Sequence, residues 1–159
     1  MTKLLFMDVD GTLTDGKIYM GDKGEIMKAF HVRDGYAVKQ ILPQYDMIRV
    51  IITGRESEIV SQRCRELGIG QIYQGISLKE EKMLSVAKEY GICLNEKGIL
   101  PHTAYIGDDI PDLECMLIAE KKGCPADAVD RIKENADFVS GKIGGDGAVR
   151  EFIEWICRT

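Results

Sequence analysis

The run KLLFMDVDGT, from Lys3 to Thr12, decides how the rest of the chain is read. Its first half is aliphatic and aromatic without alternation, as in a strand covered on both faces. Its second half places Asp8 and Asp10 two residues apart, so both carboxylates leave the strand end on one side. A calcium loop of the EF-hand kind opens in the same way. Here, however, Leu13 stands at its sixth position and Tyr19 at its twelfth, where glycine and glutamate are needed.

Further apolar runs follow at Met47–Thr53, Gln71–Tyr73, Thr103–Gly107 and Ala136–Val139. Segments with helical spacing alternate with them, at 35–42, 57–67, 78–90, 112–121 and 149–157, with Gly68 and Gly91 at expected helix C-caps. That alternation predicts an α/β fold, a Rossmann-like parallel sheet flanked by helices. Residues from about 16 to 32 differ: KIYM, GDKG and EIMKAFHV read as a β-hairpin flap after the first strand. The 159 residues fit a single domain, 1–159.

Bulk properties narrow the classes of function. A net charge of −5 disfavours a nucleic-acid footprint, and no apolar run is long enough to span a membrane. Five scattered cysteines without a C-x-x-C pair point to reduced thiols in a cytoplasmic protein, and the start of the chain does not read as a targeting segment.

Three later clusters join Asp8 and Asp10. Thr53, Gly54 and Arg55 follow the second strand, where a hydroxyl and free backbone N–H groups can cradle phosphate. Lys79 opens a helix, with Lys82 as a competitor on the same helix. Asp108, Asp109 and Asp112 follow a fourth strand. They either surround a hard divalent cation or cap the next helix, and different carboxylates can do each.

The ordered set Asp-x-Asp, Thr, Lys, Gly-Asp-Asp-x-x-Asp resembles the four motifs of the haloacid dehalogenase-like (HAD) superfamily across nearly the whole chain. DVDGTLTDG (8–16), KAFHVRDG (28–35), ITGR (52–55), YQG (73–75), AYIGDD (104–109) and GGDGAVRE (144–151) are similar to the capless family of 3-deoxy-D-manno-octulosonate 8-phosphate (KDO 8-phosphate) phosphatases. Only about forty residues separate Asp10 from Thr53, which leaves no room for a cap domain.

The resemblance implies a Mg2+-dependent phosphatase acting on a small anionic sugar phosphate, KDO 8-phosphate, for lipopolysaccharide biosynthesis. It implies a homotetramer whose hairpin and neighbouring subunit close the site. It makes Asp8 the nucleophile, Asp10 the general acid/base, and Asp8, Asp10 (through its backbone carbonyl) and Asp108 the metal ligands. Thr53, Gly54 and Lys79 would hold phosphate, with Asp109 and Asp112 behind them. His31, Val32, Arg33, Asp34, Gly35, Lys39, Arg55 and Arg63 match positions that line the sugar-acid site.

Lys39 and Asp146 depart from the family pattern, where arginine and a basic residue are common, and 95–101 is a longer connection. These departures keep a nine-carbon ulosonate 9-phosphate open as an alternative substrate. A phosphorylatable receiver-like signalling module shares the Asp, Thr and Lys, but it carries its acidic pair and its phosphorylated aspartate on different strands.

Overall fold

The computed structural model describes residues 1–159. Its centre is a six-stranded parallel sheet in the order β5-β4-β1-β6-β7-β8. The strands are β1 (Leu4–Met7), β4 (Ile48–Ile52), β5 (Gln71–Tyr73), β6 (Leu100–Ile106), β7 (Ala119–Cys124) and β8 (Phe138–Val139). A separate antiparallel hairpin, β2 (Tyr19–Gly21) and β3 (Gly24–Met27), stands between β1 and the first helix. A lone bridge from Thr14 to Phe30 closes its base.

Strand β1 explains the two-layered core. Its four residues are fully buried, and successive side chains point to opposite faces. Leu5 and Met7 pack with Val38, Val60, Phe152 and Ile153. These come from α2 (Glu58–Glu66), α6 (Ala148–Arg158) and the helical run that starts with α1 (Val32–Tyr36). Leu4 and Phe6 pack with Met83, Val86, Met116 and Ile132 on the other face. Those residues belong to α3 (Lys79–Glu89), α4 (Leu113–Ile118) and α5 (Asp130–Asn135).

Three local readings of the sequence need correction. The helix expected over 112–121 ends at Ile118, and Ala119–Cys124 turns into a central strand. Glu120, Lys121 and Lys122 favour helix by propensity, but parallel pairing with β6 and the burial of Gly123 and Cys124 override them. The helix expected over 35–42 begins at Val32 and passes through a π-helical turn, Ala37–Ile41, into a 3-10 turn ending at Tyr45. Residues 130–135 form a short helix that the apolar spacing did not signal.

Candidate active site

Parallel strands all end on the same side of the sheet, and there the chemistry-bearing residues meet. Asp8 follows β1, Thr53 follows β4, Lys79 opens α3 after β5, and Asp108 follows β6. With Asp10, Gly54, Arg55, Asp109, Pro111 and Asp112 they line one hollow of about 180 Å³.

At the centre is a buried lysine held by two carboxylates. Lys79 Nζ donates to Asp8 Oδ1 at 2.7 Å and to Asp112 Oδ1 at 2.7 Å. Burial works against its charge, but the two carboxylates outweigh it and raise its pKa. Lys79 is therefore a permanent cation, and Lys82, which lies over the Tyr73 ring, is not its equivalent.

Asp112 holds the frame. Its Oδ1 also accepts from the buried Tyr105 hydroxyl at 2.7 Å, and its Oδ2 accepts from the backbone N–H of Asp108 (3.0 Å) and Asp109 (3.2 Å). Both oxygens are thus fully engaged, which sets Asp112 behind the site as a support. Asp109 caps the 3-10 turn through Ile110 N at 2.7 Å and takes part in a capping box with Asp112.

Carboxylate oxygens of Asp8, Asp108 and Asp112 lie within 4.8 Å of one another. Burial, then the charge of Asp112, holds the Asp8 carboxyl well above its ordinary range. Asp108 is pushed up to about 6, first by burial and then by Asp112, against the hydrogen bond from Thr12 Oγ1 at 2.9 Å. The donors are hard oxygens in a surplus of negative charge, a set that fits Mg2+. The Asp10 carboxylate is not among them. It turns toward the hairpin, where the Lys28 ammonium grips it.

Glycines let backbones approach this cluster. Gly11 has φ +92°, and a Cβ there would overlap the Asp108 carboxylate. Gly144 presses on the Gly11 carbonyl, and Gly145 N donates to Thr12 O at 3.1 Å. The loop before α6 is thereby seated on the loop that carries Asp10.

The remaining candidate residues fall in other places. Val32, Gly35, Lys39 and Arg63 line a second hollow of about 400 Å³, apart from the first. Asp34 is buried, and its two oxygens accept from Gly147 N (3.2 Å) and Arg150 N (2.7 Å) at the start of α6. Arg33 is exposed, and His31 Nε2 lies 3.6 Å from Asp146 Oδ1. Arg55 reaches from the first hollow toward Glu25 of the hairpin, at 3.9 Å. Sequence reasoning did not single out Lys28, Tyr105 or Thr12. Only the long-range folding of the hairpin and of β6 gives them roles.

No family model matches the chain. Among curated proteins it is 43% identical over 153 residues to 3-deoxy-D-manno-octulosonate 8-phosphate phosphatase KdsC of Escherichia coli, covering 96% of this chain and 77% of that protein. The crystal structure of the Moraxella catarrhalis phosphatase of that name, in complex with magnesium ion, phosphate ion and KDO, superposes with a TM-score of 0.90 at 40% identity, over 99% of this chain and 86% of that one. A protein from Legionella pneumophila described as a HAD superfamily (subfamily III A) hydrolase superposes with a TM-score of 0.89 at 35% identity, over 99% and 82%. With its Asp-x-Asp, Thr, Lys and Asp-Asp motifs gathered at one end of the sheet, the chain belongs to the family of 3-deoxy-D-manno-octulosonate 8-phosphate phosphatases within the HAD superfamily.

Proposed function

We propose that the chain is a Mg2+-dependent phosphomonoesterase that hydrolyses KDO 8-phosphate to KDO and phosphate by way of an aspartyl-phosphate on Asp8. The observation that carries this reading is the buried contact of Lys79 with Asp8, beside Asp108 and Thr53 at the strand ends. It supports the reading by bringing a carboxylate and a fixed cation together at one small hollow.

In the first step an Asp8 oxygen attacks phosphorus, and Asp10 gives a proton to the departing sugar oxygen. In the second, Asp10 takes a proton from the water that hydrolyses the acyl phosphate. Lys79 faces the equatorial oxygens, and the Thr53 hydroxyl with the N–H groups after it completes the cradle. Mg2+, held by Asp8, Asp108 and the Asp10 carbonyl, would offset phosphoryl charge. Chelation is therefore expected to abolish turnover, and added Mg2+ to restore it; phosphate release measured before and after EDTA checks this. An aspartate two residues after the nucleophile favours prompt hydrolysis, which argues against a signalling receiver.

A hollow of about 180 Å³ is below the roughly 300–1,000 Å³ of ordinary ligand sites. It admits a phosphoryl group, and the sugar acid must extend beyond it. That supports closure by a second subunit, with the tetramer as the assembly. Met20, Ile26, Met27 and Val32 are half or more exposed on and beside the hairpin, an apolar patch suited to such a contact. Five unpaired thiols suit the cytoplasm, and no helix is long and apolar enough to cross a membrane.

The deciding experiment ranks phosphorylated sugar acids by kcat/KM with Mg2+. A clear preference for KDO 8-phosphate supports the reading. Preference for a nine-carbon ulosonate 9-phosphate would reassign the substrate, and Asp146 beside His31 is the feature that favours that second reading. A flat profile would remove the substrate assignment and leave the phosphatase.

A further inference from the structure

Lys28 lies on no strand or helix, and although it opens the KAFHVRDG stretch, the resemblance gives it no role. Yet its side chain is fully buried, and the ammonium reaches two carboxylates. One is Asp10. The other is Glu25 on β3, at 2.8 Å. Taking an ammonium and two carboxylates largely out of water is costly even when the ions pair. A hairpin could be held more cheaply by an apolar contact, so the arrangement calls for a reason.

The surroundings supply one. Lys28 is the only side-chain or backbone donor that the Asp10 carboxylate has. Glu25 is fixed from its other side by the Ser57 hydroxyl at 2.5 Å, and Arg55 Nη2 approaches at 3.9 Å. Burial works to raise the Glu25 carboxyl, but the hydrogen bonds from Lys28 and Ser57 outweigh it, so Glu25 stays ionised. A charged chain therefore runs from the loop after β4, through Glu25 and Lys28, to Asp10. Its far end is anchored beside Thr53 and Arg55, the residues proposed to meet phosphate and sugar. The Asp10 carboxylate lines the same hollow as Asp8, Asp108 and Asp112 but stands outside their cluster, and no other donor holds it.

We propose that Lys28 is a positioning residue for the general acid: through Glu25 and Ser57 it fixes the Asp10 carboxylate where the leaving oxygen departs. This rests on the assignment of Asp10 above. Misplacing a reacting group by about 1 Å can cost 10²-fold in rate. The loss should fall on the step in which Asp10 acts.

The test compares kcat/KM for KDO 8-phosphate and for p-nitrophenyl phosphate in the intact, Mg2+-loaded protein. kcat/KM reports the steps up to departure of the leaving group. A sugar alkoxide needs a proton to depart, whereas nitrophenolate does not. The ratio of aryl to sugar kcat/KM is expected to rise roughly 100-fold in Lys28→Met, approaching the rise in Asp10→Asn. Far-ultraviolet circular dichroism and the melting temperature check the fold. If Lys28→Met does not fold, Lys28→Gln, which keeps a donor without charge, is expected to show a smaller rise in the same ratio.

A Lys28 variant that loses activity on both substrates equally, with the ratio at its wild-type value, overturns the proposal and leaves Lys28 a hairpin staple. If Asp10→Asn itself leaves the ratio unchanged, the assignment of Asp10 fails first. The two failures are thus distinct.

Discussion

Replacing Asp8 with Asn is expected to lower turnover by roughly 10⁴-fold or more, because it removes the oxygen proposed to attack phosphorus. Asn keeps the shape and one acceptor for Lys79, and Lys79 keeps its bond to Asp112. The variant should therefore fold. It should also be more stable than the parent at neutral pH without added divalent cation. Burial and the Asp112 charge raise the Asp8 carboxyl above 3.8 in the folded protein, so its ionised form is favoured in the unfolded chain.

The sign follows from linkage. A carboxyl raised on folding binds more protons in the native state, so stability falls as pH climbs from the unfolded value toward the folded one. For Asp108 that window runs from 3.8 to about 6. Asp8→Asn should flatten part of the decline. Denaturant melts between pH 4 and 7, alongside phosphate release, check both halves. Normal turnover in this variant would remove Asp8 from its role. A lower stability at neutral pH would mean that the Lys79 contact outweighs the buried charge.

Asp112→Ala is expected to cost about 3–5 kcal/mol of stability, the range for breaking a buried ion pair by removing one partner. Four donors converge on this side chain: the Lys79 ammonium, the Tyr105 hydroxyl and the N–H groups of Asp108 and Asp109. Removing the acceptor leaves the buried Lys79 and Tyr105 and the half-buried Asp108 without it. Activity should fall too, because the same bonds set the direction of Lys79 and the turn that carries Asp108. Asp109→Ala is the comparison. It loses a single cap on an exposed residue, worth about 1 kcal/mol. The midpoint of urea unfolding, at an unchanged slope, separates the two. Similar midpoints for both variants would show that Asp112 does not support the frame.

The fold was legible because β1 and the later parts of β4 (50–52) and β6 (104–106) are buried throughout and carry almost no polar side chains. Their aliphatic runs mark them directly. Strand β7 was not legible, because its pairing with β6 is decided by neighbours more than ten residues away, while Glu120, Lys121 and Lys122 point the other way. The motif spacing led to Asp8, Thr53, Lys79 and Asp108 because strand ends in a parallel sheet converge whatever lies between them. It could not separate the residues of the small hollow from those of the hollow at Lys39 and Arg63, since that depends on how α1 and α2 pack. Nor could it reveal Lys28, which faces Asp10 only once the hairpin folds back on the site.

The position of β1 has a consequence for synthesis. It precedes the other five strands of the sheet along the chain, yet it lies in the middle of the sheet, between β4 and β6. Its apolar LLFM therefore waits unpaired on one side until residue 48 has emerged, and on the other until residue 103. The loop that presses on Gly11 arrives later still, with residues 144 and 145. Pairings this distant along the chain form slowly and leave apolar segments open to association in the meantime. Asp8 is thus made well before the residues 103–108 and 144–145 that complete its surroundings.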